Sequence, residues 1–142
     1  MKLKKTPNWD TKLFNFINEV KDKPFKWGKW DCCIFGISAL EVMTGDLPLK
    51  SHWNNKKEAM DFIDSEGGTL NKIATKYLKN WDLYTIDKMF ITAGDICIVK
   101  EEETGEDIIG VCTGNMIACV CEEGFTFKGN LNAKKVWRVK DV

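Results

Sequence analysis

Apolar residues recur at helical spacing in the first half of the chain and at strand spacing in the second. Trp9, Leu13, Phe14, Ile17 and Val20 set out an amphipathic helix over about residues 8–21. Pro24 and Gly28 then mark an irregular connection. The next helix spans about residues 32–44, with Asp31 as a good N-cap and Gly45 as a good terminator. Between them, Cys32, Cys33, Ile34, Phe35, Ile37, Ala39, Leu40, Val42 and Met43 leave almost no polar face. A helix apolar on nearly all sides belongs at the centre of a domain. Two further helices are expected over about residues 56–65 and 70–80, the first ended by Gly67-Gly68 and the second capped by Thr69. Their inward stripes are Ala59, Met60, Phe62 and Ile63, then Leu70, Ile73, Ala74, Tyr77 and Leu78.

The period then changes. Residues 96–100 and 108–112 are short apolar runs joined by an acidic, turn-forming Glu101–Asp107 segment. Strands over residues 116–121, 125–128 and 136–139 follow, separated by Thr113-Gly114-Asn115, Glu122-Glu123-Gly124 and a polar loop. Helices first and strands second predict an α+β domain, with helices packed on one side of a meandering antiparallel sheet.

Length and charge narrow the classes of function. The 142 residues fit one domain, residues 1–142, with no repeat or Pro/Gly linker to divide it. Lys plus Arg number 21 and Asp plus Glu 21, so no overall field favours nucleic acid or an anionic membrane. The Lys2–Lys5 run reads as a solvated chain end. The basic opening is followed by Trp9-Asp10-Thr11-Lys12 where a signal peptide requires an apolar stretch, and no run suits membrane insertion. Synthesis in a cytosol is the expectation, with all six cysteines as free thiols and no cofactor or metal. Cys97, Cys112, Cys119 and Cys121 fall in the strands without a Cys-x-x-Cys knuckle, a spacing of ordinary buried positions.

Candidate chemistry gathers in residues 25–35. Cys32 opens the central helix directly after a capping aspartate, where unpaired N–H groups and the helix dipole favour an anion. Cysteine nucleophiles are commonly held this way. Trp27 and Trp30 are candidates to line a groove beside it, although aromatics around a glycine also serve simple packing. Cys33, one residue on, points elsewhere around the helix and is read as core. His52 is read as a surface loop residue, with Trp53 anchoring that loop.

Phe25-x-Trp27-Gly28-x-x-Asp31-Cys32-x-x-Phe35 resembles the Trp-Gly…Asp-Cys…Phe pattern of NlpC-type cell-wall peptidases, which have a papain-like fold. It resembles more closely a small branch of that superfamily, found among phage tail genes and carried as a domain of unknown function. Thr44-Gly45-Asp46, Gly67-Gly68, Ala93-Gly94-Asp95, Gly110-Val111, Gly124-Phe125 and Trp137-Arg138 continue the resemblance in order. It implies a papain-like fold with Cys32 in the nucleophile position. In the active peptidases a histidine opens the strand after the Gly-Asp strand, and here Ile108 holds that place. An orienting polar residue is expected near Ala118 or Cys119, and neither suits the task.

A helix N-terminus alone offers an anion about 0.3–1 kcal/mol. Histidine pairing takes a thiol from a pKa of about 8.5 to about 3–4. Without an imidazole, neither activation of Cys32 nor protonation of a leaving group is expected. The resemblance and the missing base together imply a phage-encoded, non-catalytic virion or tail component. It would be made in a bacterial host's cytoplasm, become associated with the virion, and have other virion proteins as partners, with no nucleic acid. The alternative is a cysteine peptidase or amidase on peptidoglycan, with Cys32 as nucleophile and a base from His52 or another subunit. A third reading is a ligand-binding module that uses the old cleft without chemistry.

Overall fold

The computed structural model describes residues 1–142 and contains four α-helices and a six-stranded antiparallel sheet. The helices are α1 (Trp9–Val20), α2 (Cys32–Thr44), α3 (Lys56–Glu66) and α4 (Leu70–Asn80). The strands are β1 (Tyr84–Ile86), β2 (Ile96–Lys100), β3 (Asp107–Cys112), β4 (Met116–Cys121), β5 (Gly124–Gly129) and β6 (Ala133–Arg138). They lie in the order β1-β6-β2-β3-β4-β5. Strands β2 to β5 form the expected meander, while β6 returns to pair with β2 and carries β1 on its far side. No helix is long and apolar enough to cross a membrane.

Helix α2 occupies the centre, as its all-round apolar sequence requires. Asp31 caps it by accepting the Ile34 amide at 3.0 Å, and Gly45 ends it at φ 81°. Phe35, Ala39, Leu40 and Met43 are buried almost completely. Each of the larger ones contributes about 1.5–3 kcal/mol by leaving water. A Cβ on Gly36 would stand 2.7 Å from the Ile109 Cγ2, so the bare backbone lets α2 settle directly on β3. Register places Ile96, Ile98, Ile109, Val111 and Trp137 on the face toward α2. The opposite face, with Cys97, Ile117, Cys119 and Val136, is buried as well. Burial on both faces explains why these strands read as continuous apolar runs.

Two sequence motifs meet at the end of the sheet. The Asp95 carboxylate is fully buried and accepts from Arg138 Nε at 2.8 Å and Arg138 Nη2 at 2.9 Å. It also accepts the Thr92 amide, while Arg138 donates to the Phe90 carbonyl. Gly94 allows this at φ 89°, with the Trp9 ring packed where a Cβ would point. The clamp joins the entry to β2 with the end of β6. Ala93-Gly94-Asp95 and Trp137-Arg138 are therefore two halves of one structural device.

Several expectations need correction. The Lys2–Lys5 run is not a solvated end: Leu3 and Lys5 are buried, and Lys4 bridges to Lys140. Lys5 lays its ammonium over the Trp9 ring at 4.1 Å and faces Asp141 at 3.6 Å, so its stem packs while its charge is met. Phe14 points outward from α1, 67% exposed, and Phe16 takes the inward role by stacking on Phe35. Residues 133–135, read as loop, belong to β6. There Lys134 and Lys135 are exposed, and a register shift between Ile98 and Val99 breaks the alternation.

Candidate functional site

The N-terminal tip of α2 lies at the bottom of an open trough. Its position is set by the connection from Phe25 to Asp31, and the local sequence dictates that geometry. Gly28 adopts φ 80°, and a Cβ there would lie 2.6 Å from the Trp53 carbonyl oxygen and the Asn54 Cα. Only glycine allows the 53–54 backbone to cross at that distance. Asp31 then ties the crossing together. Besides capping α2, it accepts the Gly28 amide at 3.0 Å and the Trp53 Nε1 at 2.8 Å, and it is 1% exposed. The Trp-Gly…Asp-Cys spacing is thus a local scaffold that holds the helix tip and the 53–54 loop in fixed relation.

Two clefts run from this tip and meet at Trp27, Cys32, Glu106 and Ile108. The larger, about 310 Å³, is walled by Trp53 and by Ala59, Met60, Ile63, Leu70 and Ile73 of α3 and α4. The smaller, about 150 Å³, is walled by Phe25 and by Glu101, Glu103, Glu122 and Glu123 from the two hairpin tips. Trp27 stands between them, its Nε1 donating to Glu122 at 3.2 Å and its ring edge-on to Phe25. Sharing Cys33, Trp53, Leu70 and Ile73 with the larger cleft, an apolar pocket of about 70 Å³ lies between α2 and α4.

Of the residues singled out from sequence, Trp27, Asp31 and Cys32 line the trough, and Ile108 faces it beside Cys32. Trp30 does not. It is buried with an edge-on contact to Phe16 and to Phe35, and Lys23 covers its other surface at 4.1 Å. Its place directly before the capping Asp31 goes with a ring turned inward, to the packing role that tryptophan beside glycine also serves. Cys33, read as core, also lines the larger cleft and is only half-buried. A hydrogen bond with Cys32, then burial and the nearby charge of Asp31, push its thiol well above the ordinary range.

His52 is exposed and does not line the trough. Its ring meets Phe62 edge-on at 4.7 Å and Trp53 at 5.7 Å. Ala118 and Cys119 are fully buried in β4, and burial pushes the Cys119 thiol up to about 12. The ionisable groups lining the trough around the thiols are carboxylates, with Lys56 the one cation among them. Carboxylates oppose a neighbouring anion, so they do not draw a thiol toward thiolate as an imidazolium does. No three His, Cys, Asp or Glu side chains are arranged to hold a metal ion.

Two features were not read from sequence. Trp53 is a wall of the trough as well as a loop anchor, and the glutamates of two separate turns converge on one arm. The glutamates were visible as acidic turns, but only the pairing of β4 with β3 brings them to the same end of the sheet.

The fold and trough define an α+β protein in which a capped central helix presents a cysteine to an open cleft with no imidazole along it. Residues 4–139 match the family described as Domain of unknown function (DUF6950), and the chain belongs to that family. No curated protein matches its sequence.

Proposed function

We propose that this protein is a non-hydrolytic module on a papain-like, NlpC-type scaffold, acting as a structural or assembly component of a phage virion or tail. One observation carries the non-hydrolytic half: Ile108, an aliphatic side chain, lines the trough beside Cys32 while the one histidine is packed on Phe62. A thiol nucleophile needs a group to take its proton and return it to the leaving amine, and no imidazole is placed for this. The virion half rests on the resemblance of the ordered short motifs to a branch found among phage tail genes. The motif residues have structural work in this fold: Gly28, Asp31, Gly94, Asp95 and Arg138 hold the helix tip and the sheet end. Such a scaffold persists without chemistry, because fold and activity are separable.

The rival is a peptidoglycan-cleaving cysteine peptidase, favoured by the capped helix start that presents Cys32 to a cleft. Purified protein incubated with peptidoglycan fragments decides between them. Intact fragments, analysed by mass spectrometry, are the expected result. Cleavage that disappears in Cys32→Ser, with the melting temperature unchanged, would establish the enzyme instead. Proteomics of purified particles tests the second half, with the chain expected at stoichiometric rather than trace abundance.

A further inference from the structure

The two arms of the trough differ in character, the larger mostly apolar with Asp64 and Asp107 at its edge and the smaller mostly acidic, and they meet across the tip of α2. The larger arm is walled by apolar side chains of α3 and α4, including Met60, Ile63, Leu70 and Ile73. The smaller arm collects Glu101, Glu103, Glu122 and Glu123 around Phe25 and Trp27. Glu106 stands at the junction, in both arms. The chain as a whole carries equal numbers of acidic and basic residues, 21 of each, so this concentration is local. The opposing cations are few: Lys56 pairs with Glu122 at 3.7 Å, and Lys128 lies near Glu123. Glu103 and Glu123 crowd one another, and their mutual hydrogen bond and charge hold the Glu123 carboxyl above its usual range. Charge of one sign is thus held together at the mouth of a cleft whose walls also offer two aromatic faces.

We infer that the trough is a docking site for an extended segment of a partner protein, apolar at one end and basic at the other. The apolar side chains enter between α3 and α4. Lysine or arginine side chains then reach the glutamates of the hairpin tips, against the Trp27 and Phe25 rings. Burial of the apolar end supplies the non-directional part of the affinity, and the carboxylates fix its direction. Cations over aromatic rings add to it. The inference rests on the non-hydrolytic reading, since a docked segment must be held and not cut.

The test uses synthetic ten-residue peptides and the full chain, followed by calorimetry and by tryptophan fluorescence. One peptide carries leucine and phenylalanine in one half and lysine and arginine in the other. The controls are its glutamate-substituted counterpart, a lysine-only peptide, and a scrambled version that breaks the two-part order. The two-part basic peptide should bind at least tenfold more tightly than any control, and raising salt from 50 to 300 mM should weaken it about tenfold. Glu103→Gln with Glu123→Gln, at exposed positions, should weaken it at least fivefold with the melting temperature unchanged. Met60→Lys should weaken it comparably from the other arm, and Lys56→Gln should strengthen it.

Equal binding of the acidic and basic peptides, or no binding at millimolar concentration, would overturn the docking site and leave the non-hydrolytic reading standing. Binding that the glutamate variants leave unchanged would also overturn it. Recovery of the peptide after a day separates the two readings. An intact peptide supports both, whereas a cut peptide, with cutting lost in Cys32→Ser, removes the non-hydrolytic reading while leaving the binding site in place.

Discussion

Two buried aspartates, each following a glycine in left-handed conformation, sit at different ends of the molecule and are stabilised by different means. Asp95 is neutralised by the Arg138 guanidinium through two hydrogen bonds. Asp31 faces neutral donors only: the Gly28 amide, the Ile34 amide and the Trp53 indole. The first arrangement locks two strand ends and leaves nothing to react. The second places a carboxylate behind a thiol pair at the head of an open trough. Both aspartates belong to the short motifs quoted above, and both carboxylates are fully committed to architecture. The difference is that one architecture closes a sheet while the other keeps a cleft open.

If that comparison is right, the largest loss should follow removal of the charged partner. Arg138→Ala leaves a fully buried carboxylate without its cation. A cost of about 3–5 kcal/mol is expected, toward the lower end because the Arg138 side chain is 21% exposed. Replacing both partners by apolar residues, Asp95→Leu with Arg138→Met, should cost less than the single change. Chemical denaturation checks both, and a double variant weaker than the single would break the assignment of the clamp.

Asp31→Ala should cost somewhat less, about 2–3 kcal/mol, since it removes a cap and strands two other donors but leaves no buried charge without a partner. It should also free the 53–54 loop, seen as a red shift of tryptophan emission as Trp53 leaves its buried site. A loss larger than that from Arg138→Ala would reverse the ranking of the two ends.

The helices and the central strands were legible because their signals are local. Asp31 and Gly45 punctuate α2, and the runs over residues 96–100 and 116–121 are apolar enough to read without partners. Strand β1 was not legible: its three residues are largely exposed, and it exists only by pairing with β6. The same holds at the site. The Asp31 cap could be read from neighbouring residues, but its bond to Trp53 spans 22 positions and the Asp95–Arg138 pair spans 43. Gly94 and Asp95 lead from a turn into β2, which local chemistry accounts for, but the arginine that meets the carboxylate lies far along the chain. Trp30 was misplaced for a related reason, because the tryptophans at 27 and 30 flank the same turn and only tertiary packing distinguishes rim from core.

A smaller and graded effect is expected in alkali, from the sheet interior that both ends enclose. Burial raises the Cys97 and Cys119 thiols above their ordinary value of 9.0, the latter to about 12. The native state therefore keeps these protons where the unfolded chain loses them. Stability from this source is complete below pH 9 and is lost as pH rises from there toward 12. The slope is at most about 1.4 kcal/mol per pH unit for each thiol. Denaturation midpoints between pH 9 and 11 should fall, and Cys119→Ala should flatten the fall. A midpoint that rises over that range would contradict the burial of these thiols.

The smallest change in stability belongs to the substitution that bears most directly on the open end. Ile108→His puts an imidazole on the trough wall beside Cys32, at a position that is 9% exposed. Desolvating a polar ring at the mouth of a cleft should cost about 1–2 kcal/mol. Its chemical effect should be larger. An imidazole there can take the thiol proton, leaving a thiolate and imidazolium pair, and the thiolate displaces iodide from iodoacetamide. Alkylation of Cys32 at pH 7 should accelerate at least tenfold, located by peptide mapping. Ile109→His, one residue along and turned toward α2, should give no acceleration. A folded Ile108→His variant that alkylates no faster than the parent would mean that position 108 cannot serve Cys32. Ile108 would then no longer explain an inert cleft, and the contrast between a closed and an open end would need another basis. Acceleration confined to position 108 would show that this fold can hold a thiol and a base in register across the trough, with the side chain at 108 deciding whether Cys32 is activated.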